Sequence, residues 1–438
     1  MRRTGRTAPM TSTSGEDARH QSSVGDAVSG GAIIVAALVG IYMLSQFFRN
    51  ALGVIGPDLA KAFDLDAARL GFLSSIFFLS FALAQIPLGV AIDKWGPRPA
   101  MLATGALMIA STALFALARN YTELATARFL MGLGCCSFLM APLALYAERF
   151  PPERFSTITG VHIGGGSFGM LAATAPLAWL AGAVGWRNSF LTAAACATVA
   201  MACVFLFVRE TPDTLARRRA RSESFSQAFS GVIAATRAAG FWRVFFVQAA
   251  AYSAFASVIG LWVGPWLSQV YGLPLEARGR MTLILACAQI AGLFFWGASD
   301  RWFASYLRPA LISIALALAT LATGALFVLP AAALPVFMAA FGFSFAATPV
   351  LTAHGKSLFP RELTGRGITL INTGTIGGAF AQQFFTGFVI EAFGYRMVDG
   401  ARVYPPESFR LVFGLLGLQL AIAAAFYLRA PDRHPDRI

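Results

Sequence analysis

Arg49 is the residue whose surroundings most clearly suggest chemistry. It lies about 17 residues inside the first apolar stretch of the chain, which at 1.5 Å per helical residue is about 26 Å along a tilted helix axis. An arginine this deep in apolar surroundings is usually paired or functional. None of the 21 acidic residues lies well inside an apolar stretch. Because a guanidinium presents a planar fork of N–H donors, Arg49 is predicted to bind an anionic group.

His162 is the second candidate, in the fifth apolar stretch and just before the triplet Gly164-Gly165-Gly166. Imidazole titrates near neutral pH, so His162 could contact the ligand and carry a proton. The lack of carboxylates inside apolar stretches favours this interpretation, because carboxylates are common proton relays in membranes. The alternative is a hydrogen-bonded histidine that joins two helices, and both interpretations stay open at this point.

Polar and aromatic residues inside the other apolar stretches are candidates for the same site. We select Tyr252 and Gln382 as further ligand contacts. Residues of similar character are Gln85, Trp262, Gln289, Asn372 and Gln383. Each could instead join two helices by a hydrogen bond.

Membrane-spanning helices must position these side chains. The 438 residues are 57% hydrophobic and 13% charged, whereas soluble domains carry about 25% charged residues. Apolar runs long enough to span a bilayer fall at about 32–56, 70–92, 100–118, 124–146, 157–181, 189–208, 243–268, 281–299, 310–329, 334–353, 367–390 and 410–428. The sequence predicts an all-α membrane protein with 12 transmembrane helices in two pseudo-symmetric six-helix bundles. The runs 157–181 and 367–390 are Gly-rich and the weakest of the twelve.

The predicted domains follow from this division. They are a disordered cytoplasmic tail at 1–30, an N-terminal bundle at 31–208, a basic cytoplasmic linker at 209–242, a C-terminal bundle at 243–429 and a cytoplasmic tail at 430–438. No cleavable signal pattern is present in the first tail. The linker could bind anionic lipid, although a role in fixing the topology is favoured.

Lysine and arginine are distributed unevenly between the two sides. With both termini in the cytoplasm, 23 of the 34 Lys and Arg residues lie on the cytoplasmic side and 9 on the other. This bias predicts a multi-pass protein of the inner (cytoplasmic) membrane with both termini cytoplasmic. It also explains the net charge of +13 without nucleic acid as a partner, because the basic residues form no continuous stripe.

An internal repeat relates the two halves. The segment 93–95 (Asp-Lys-Trp) recurs as Asp-Arg-Trp at 300–302, 207 positions later. The segment 150–153 (Phe-Pro-Pro-Glu) recurs as Phe-Pro-Arg-Glu at 359–362, 209 positions later. Two signatures at nearly one offset indicate a duplicated six-helix unit, and paired bundles with a site between them are typical of transporters.

The loop after the second run carries a recognisable motif. The segment 89–98, with Gly89, Asp93, Lys94, Gly96 and Arg98, resembles the GxxxD(R/K)xGR(R/K) loop of the major facilitator superfamily. The resemblance implies the fold of that superfamily and a cytoplasmic hinge. Glycines permit the tight turn such a loop needs.

The resemblance also implies partners for this loop. In the family the loop helps to lock the outward-open state, and its last arginine pairs with an acid, which here would be Glu148. Asp93 would face a helix N-terminus of the other half, where the helix dipole favours a carboxylate. The second half has a degenerate copy, in which Asp300 and Arg301 match the motif.

The fourth run contains Arg128, Gly132 and Gly134, which resemble the RxxxGxG segment of the same superfamily. The glycines would permit close helix packing. Arg128 lies about one turn inside the run, so a side chain that extends to the membrane interface is an equal alternative.

The first run resembles a narrower group. From Arg49 to Pro57 and Leu59 it is similar to the first helix of anion:cation symporters, which include glycerol-3-phosphate and other organic-anion carriers. In that group the arginine binds the anion and a proline follows eight residues later. His162 before its glycines resembles a cavity histidine of organophosphate members. Those members have a second arginine in helix seven where Ser257 stands here, so a carboxylate is expected rather than a phosphate ester.

The expected function is secondary active transport of a small organic anion by alternating access, with protons as coupling ion. The alternatives are proton-driven efflux of a drug or metabolite and a transporter-like sensor. Efflux is less favoured, because Pro176 follows Ala175 where antiporters of the superfamily have Gly-Pro. We expect a monomer in the lipid bilayer.

Enzymatic activity is not expected. The chain has no GxxxxGK[ST] motif for ATP and no Ser/His/Asp arrangement of catalytic residues. Its five cysteines lie in apolar stretches without metal-ligand spacing. We therefore expect no catalytic residue, no metal and no cofactor.

Overall fold

The computed structural model describes residues 14–209, 233–359, 364–398 and 400–432. The first half consists of α1 (Ser14–Asn50), α2 (Leu52–Phe63), α3 (Ala67–Trp95), α4 (Pro97–Leu117), α5 (Tyr121–Cys135), α6 (Met140–Arg149), α7 (Pro152–Ala172) and α8 (Ala175–Phe207). Helix α1 begins inside the predicted tail 1–30. Most of the predicted linker, residues 210–232, lies outside the described residues.

The second half repeats this arrangement and adds a hairpin. Its elements are α9 (Phe241–Ser257), a π-helical turn (Val258–Trp262), α10 (Val263–Tyr271), α11 (Leu275–Phe303), α12 (Leu307–Leu326), a 3-10 turn (Ala331–Ala333), α13 (Leu334–Ser344), α14 (Thr348–Leu358), α15 (Thr364–Glu391), β1 (Arg396–Val398), β2 (Ala401–Val403) and α16 (Pro406–Tyr427). Strands β1 and β2 pair antiparallel, with Met397 opposite Arg402.

The membrane prediction is confirmed in its main features. Ten helical segments in the described ranges are long and apolar enough to span a bilayer. The two predicted spans missing from these ten are the Gly-rich ones, which correspond to α7 and α15. Both form helices, of 21 and 28 residues, so the count reaches twelve only when they are added. Helix α8 is continuous except at Gly185, where φ is +82°, between the predicted fifth and sixth spans.

Corresponding helices of the two halves each contain a proline shortly after a break in the helix. Pro57 in α2 and Pro265 in α10 are 208 positions apart. Each follows a break, at Ala51 between α1 and α2 and at the π-helical turn before α10. Proline has no N–H to donate to the residue four positions earlier, and π-turns often mark functional sites. The offset extends the internal repeat from the loops into the helices.

The two halves pack backbone to backbone at one end, which we name the sealed end. It contains α2, α10, the hairpin and the first turns of α3 and α11. A methyl group added at Gly53 would lie 1.8 Å from the Ile259 carbonyl O, and one at Gly264 would lie 2.2 Å from the Gly53 carbonyl O. Because no side chain fits there, these glycines allow the halves to close.

The hairpin joins the halves at the sealed end. Arg402 donates from Nε and Nη2 to the two carboxylate oxygens of Asp64, at 3.1 and 3.0 Å. This hydrogen bonding raises the pKa of the Arg402 guanidinium. Tyr404, just after the hairpin, accepts a hydrogen bond from the Ala67 N–H at 2.9 Å and donates to Glu391.

Candidate functional site

A cavity of about 310 Å³ lies between the two halves. The first half contributes Tyr42, Gln46, Arg49, Phe81, Gln85, Cys136, Leu139, Met140, Leu143 and Ile163, and the second half contributes Gln248, Tyr252, Thr348, Thr352, Ile368, Ile371, Asn372 and Thr375. Along their helices these residues lie between Arg49 and the end that carries Asp93. The cavity therefore extends away from the sealed end, and a ligand in it would touch both halves.

Arg49 is the cation of this cavity, as the sequence predicts. Its guanidinium carbon lies 4.3 Å from the centre of the Phe81 ring, and Nη1 donates to the Tyr252 hydroxyl at 3.4 Å. Its Nε is buried, and no described residue forms a hydrogen bond with it. No acidic residue is among those that line the cavity in the described part of the chain. The structure thus brings two predicted residues, Arg49 and Tyr252, together around an unneutralised charge.

Two glutamine side chains present unused acceptors to the cavity. The Oε1 atoms of Gln46 and Gln248 are buried and have no hydrogen-bond partner in the described ranges. The Gln248 amide nitrogen donates to Thr352 at 3.1 Å. Buried carbonyl oxygens of this kind are stabilised by a donor, so a ligand with hydroxyl groups would complete the hydrogen bonding here.

His162 is fully buried behind the cavity wall and not in the lining. Its ring stacks on the ring of Tyr42, which lines the cavity, at a centroid distance of 4.9 Å. Nε2 lies 3.1 Å from the Phe138 carbonyl O, and Nδ1 lies 3.1 Å from the Tyr146 hydroxyl. The structure therefore places His162 one side chain away from the ligand space.

A proline explains one of these hydrogen bonds. Pro142 has no N–H to donate to the carbonyl of Phe138, four residues earlier. His162 supplies the missing donor. A carbonyl can only accept, so Nε2 carries a hydrogen and Nδ1 accepts from Tyr146 in the neutral ring. This geometry fits a helix-joining histidine, and a proton-carrying role stays a prediction.

Gln382 is not part of the cavity lining. It is buried and donates to the Oε1 of Gln419 in α16 at 2.6 Å. Its neighbour Gln383 donates to the carbonyl of Ala256, next to the π-helical turn, at 2.9 Å. Both amides therefore join helices of the second half. This agrees with the alternative interpretation, in which such residues form hydrogen bonds between helices and do not contact the ligand. Asn372 instead lines the cavity.

The motif loop lies at the end opposite the sealed end. Gly96 has φ +96° and links α3 to α4 directly, a conformation that favours glycine. Arg98 donates to the Phe205 carbonyl O at 2.9 Å. The Nζ atom of Lys94 lies 5.8 Å from the centre of the Trp95 ring. A methyl group at Gly89 would meet no atom within 4 Å.

The remaining members of this motif keep their predicted roles as predictions. In the degenerate copy, Asp300 accepts a hydrogen bond from the N–H of Arg301 at 2.9 Å. The pairing of Arg98 with Glu148, and the contact of Asp93 with a helix N-terminus, stay predictions.

Arg128 does not extend to the membrane interface. It is fully buried and donates to the carbonyls of Phe48 in α1 and Leu73 in α3, at 2.9 and 3.4 Å. A methyl group at Gly132 would lie 2.2 Å from the Phe77 carbonyl O, and one at Gly134 would lie 2.5 Å from the Met108 N atom of α4. Arg128 therefore fastens α5 to the first and third helices.

Arg278 is a second buried cation that the sequence interpretation missed. The apolar pattern predicts a span that begins at residue 281, with Arg278 in a loop, whereas α11 begins at Leu275. Its side chain is 5% exposed and pairs with Asp58 of the first half at 3.0 Å. Pro274 is the signal in the sequence that could have placed Arg278 in a helix, because proline is common where a helix begins.

Two helical halves around a central ligand cavity define a membrane transporter. The chain belongs to the Major Facilitator Superfamily, whose family model matches residues 38–382. It is a transporter and not an enzyme.

Known proteins of similar sequence are also transporters. The chain is 23% identical to the probable sulfoacetate transporter SauU of Cupriavidus necator over 90% of this chain and 92% of that protein. It is 26% identical to the gallate transporter of Pseudomonas putida over 89% of each. Its match to the uncharacterized transporter YybO of Bacillus subtilis, at 29% identity, spans only 41% of each chain.

Solved structures show the same fold. A bacterial homolog of the human lysosomal transporter Spinster, in an inward-facing and occupied conformation, aligns with a TM-score of 0.75. The alignment covers 91% of this chain and 96% of that one at 19% identity.

Proposed function

We propose that this protein takes up a small hydroxylated carboxylate across the inner membrane, together with a proton. The observation that carries the proposal is Arg49, a cation in a cavity whose described lining contains no acid. A guanidinium binds a carboxylate through parallel N–H donors. A single arginine suits a monoanion better than a phosphate ester, for which two cations would be expected.

The ligand would bind to both halves at once. Its carboxylate would replace the Tyr252 hydroxyl as acceptor for Arg49, and its hydroxyl groups would donate to Gln46 and Gln248. The gallate transporter named above is a relative whose substrate has this chemistry. Contacts to both halves let a bound ligand favour the rocking motion of alternating access.

The charge bias assigns the sealed end to the outside. The conformation is then inward-facing, with the cavity directed to the cytoplasm. Opening the outside would require separation of the glycine contacts and of the ion pairs that cross between the halves among the described residues, Arg278–Asp58 and the pairs of Arg402 with Asp64 and Asp66.

His162 is the proposed proton acceptor. Protonation at Nδ1 would turn this atom from an acceptor into a donor, so the Tyr146 hydroxyl would have to reverse. That change would reach the cavity through Tyr42, which stacks on the His162 ring.

Uptake by purified protein in liposomes tests the proposal. Gallate, benzoate and sulfoacetate would be compared at equal concentration, with and without an inward proton gradient. Benzoate is the matched control for gallate because it keeps the aromatic carboxylate and lacks the hydroxyls. We expect gallate to exceed benzoate, and the gradient to accelerate uptake. Equal uptake of gallate and benzoate, or faster uptake of the dianion sulfoacetate than of gallate, would contradict the proposal.

A further inference from the structure

We propose that Arg278 is a second anion-binding site, at the outer mouth of the transport path, where it binds a carboxylate before Arg49 does. This inference rests on the proposed function for its direction of transport. Arg278 lies in the first turn of α11 and only 5% of its side chain is exposed.

Only one of the three guanidinium nitrogens of Arg278 donates a hydrogen bond to a described residue in the sealed conformation. Nη2 donates to Oδ2 of Asp58 at 3.0 Å. Nε and Nη1 are buried and have no hydrogen-bond partner among the described residues. Unmade hydrogen bonds of a buried charged group are costly. A carboxylate that engaged the fork through both oxygens would satisfy donors that Asp58 leaves unused.

Asp58 and Arg278 belong to different halves, on α2 and α11. Any motion that opens the sealed end must therefore separate them. Asp58 is already 37% exposed and can be hydrated as the halves part. Arg278 stays in the first turn of its helix, where the dipole adds to the attraction for an anion. The opened mouth would thus present a free guanidinium.

Asp58 then acts as the competitor of the substrate. Closure of the sealed end returns the Asp58 carboxylate to Arg278, and two carboxylates cannot share that position. A substrate bound at Arg278 must leave before closure, and the next cation inward is Arg49.

The spacing favours sequential binding over a two-point clamp. Asp58 follows Arg49 by nine residues on the same span, about 13 Å along the axis at 1.5 Å per residue. A small monocarboxylate cannot place one carboxylate on both cations across that distance. The two arginines would therefore hold the anion in turn.

Arginine labelling tests the site independently of transport. The purified full chain with Asp58→Asn is treated with phenylglyoxal in acetate or in chloride of equal ionic strength, and adducts are quantified by mass spectrometry. We expect Arg278 to react severalfold faster than in the wild type and acetate to slow it saturably. Arg280, which is exposed on the same turn, should react equally under all conditions.

The same digest separates the two proposals. Protection of Arg49 by acetate reports on the proposed function, and protection of Arg278 reports on this site. Rapid labelling of Arg278 without protection by acetate would overturn the second site and leave only a structural ion pair. If Asp58→Asn does not fold, Gly264→Ala, which obstructs closure, exposes Arg278 with Asp58 in place.

Uptake kinetics give a second criterion. If the pair only holds the sealed end closed, neutralising either Asp58 or Arg278 should shift the half-saturating gallate concentration in the same direction. A capture site predicts opposite shifts, with a lower half-saturating gallate concentration for Asp58→Asn and a higher one for Arg278→Gln. Shifts in the same direction would contradict the inference.

Discussion

Arg49 and Tyr252 lie on opposite halves of the protein, 203 positions apart, and Nη1 of Arg49 donates to the Tyr252 hydroxyl at 3.4 Å. This hydrogen bond is long, so a better acceptor can replace it at little cost. A ligand carboxylate would take the donors of Arg49 and could accept from the released Tyr252 hydroxyl. The contact between the halves would then pass through the ligand.

Replacement of Arg49 is expected to weaken or abolish uptake, depending on the side chain that replaces it. A hydrogen bond to a charged group contributes about 1.5–3 kcal/mol, so Arg49→Lys, which lacks the planar fork, should raise the half-saturating concentration at least about tenfold. Arg49→Ala should eliminate uptake entirely. Both are measured in liposomes after the amount of inserted protein has been equalised.

Arg410→Lys is the matched control for this substitution. Arg410 donates to the carbonyls of Ala325 and Leu326, at 2.8 and 2.9 Å, and lies outside the cavity lining. Its replacement should leave the half-saturating concentration unchanged. Wild-type uptake by Arg49→Lys would remove the argument from bidentate binding.

His162→Gln is expected to abolish the pH dependence of uptake while retaining the fold. The glutamine amide can still donate to the Phe138 carbonyl that Pro142 leaves without a partner, but it does not titrate. Initial uptake rates at several external pH values, at constant membrane potential, measure the effect.

His354→Gln provides the comparison. His354 is also fully buried, and it contacts the Tyr427 hydroxyl at 2.7 Å and the Pro431 carbonyl O at 2.9 Å. It lies outside the cavity lining, so this variant should keep the wild-type pH profile. An unchanged profile in His162→Gln would assign His162 a purely structural role.

The ion pairs Arg278–Asp58 and Arg402–Asp64 at the sealed end should differ in their effect on stability. Asp64 is 71% exposed, and exposed pairs contribute about 0.2–1 kcal/mol. Asp58→Asn leaves Arg278 buried and unpaired, and breaking such pairs costs about 3–5 kcal/mol when both partners are buried. Because Asp58 is partly exposed, the cost should fall toward the lower value.

Thermal unfolding of the purified protein measures this difference. Asp58→Asn should lower the midpoint clearly more than Asp64→Asn does. Equal decreases would show that the burial of Arg278 has no energetic consequence.

Gly264→Ala is expected to prevent closure of the sealed end. The added methyl group would lie 2.2 Å from the Gly53 carbonyl O, a distance that only separation of the halves can relieve. Uptake should therefore fall strongly, while cysteines introduced at the sealed end become more reactive toward a water-soluble thiol reagent.

Gly182→Ala is the control for that variant. Gly182 is also helical, and a methyl group there meets no atom within 4 Å. Alanine is the better helix former, so stability and uptake should be retained. Normal uptake by Gly264→Ala would show that α2 and α10 need not approach so closely.

The sequence predicts the bundle well because its signals are strong and local. Long apolar runs, the repeat at offsets near 208 and the depth of Arg49 in the first run are all read directly from residue types. Arg49 and Tyr252 were both selected from the sequence and meet in the cavity. The Gly-rich spans are the weakest in the sequence because glycine adds little hydrophobicity, although both form helices in the structure.

Other features depend on tertiary contacts that hydropathy does not contain. Charges near a span end are assigned to loops by default, which hid the burial of Arg278. The position of His162 behind Tyr42 depends on a carbonyl that Pro142 leaves unpaired in another helix. Strands β1 and β2 were missed, although the intervening Asp-Gly at 399–400 is a hairpin signal.

The unneutralised charge of Arg49 also has an electrical consequence. An empty carrier keeps the positive charge of Arg49 in the cavity, whereas a bound monoanion cancels it. A potential that is negative inside acts on such a charge with about 2.3 kcal/mol per 100 mV for full traversal. The resting voltage would therefore hold the unloaded carrier with its cavity open to the cytoplasm. With the anion at Arg49 and the proposed proton on His162, the loaded carrier has the same net charge as the empty one, so a complete cycle would move no net charge across the membrane.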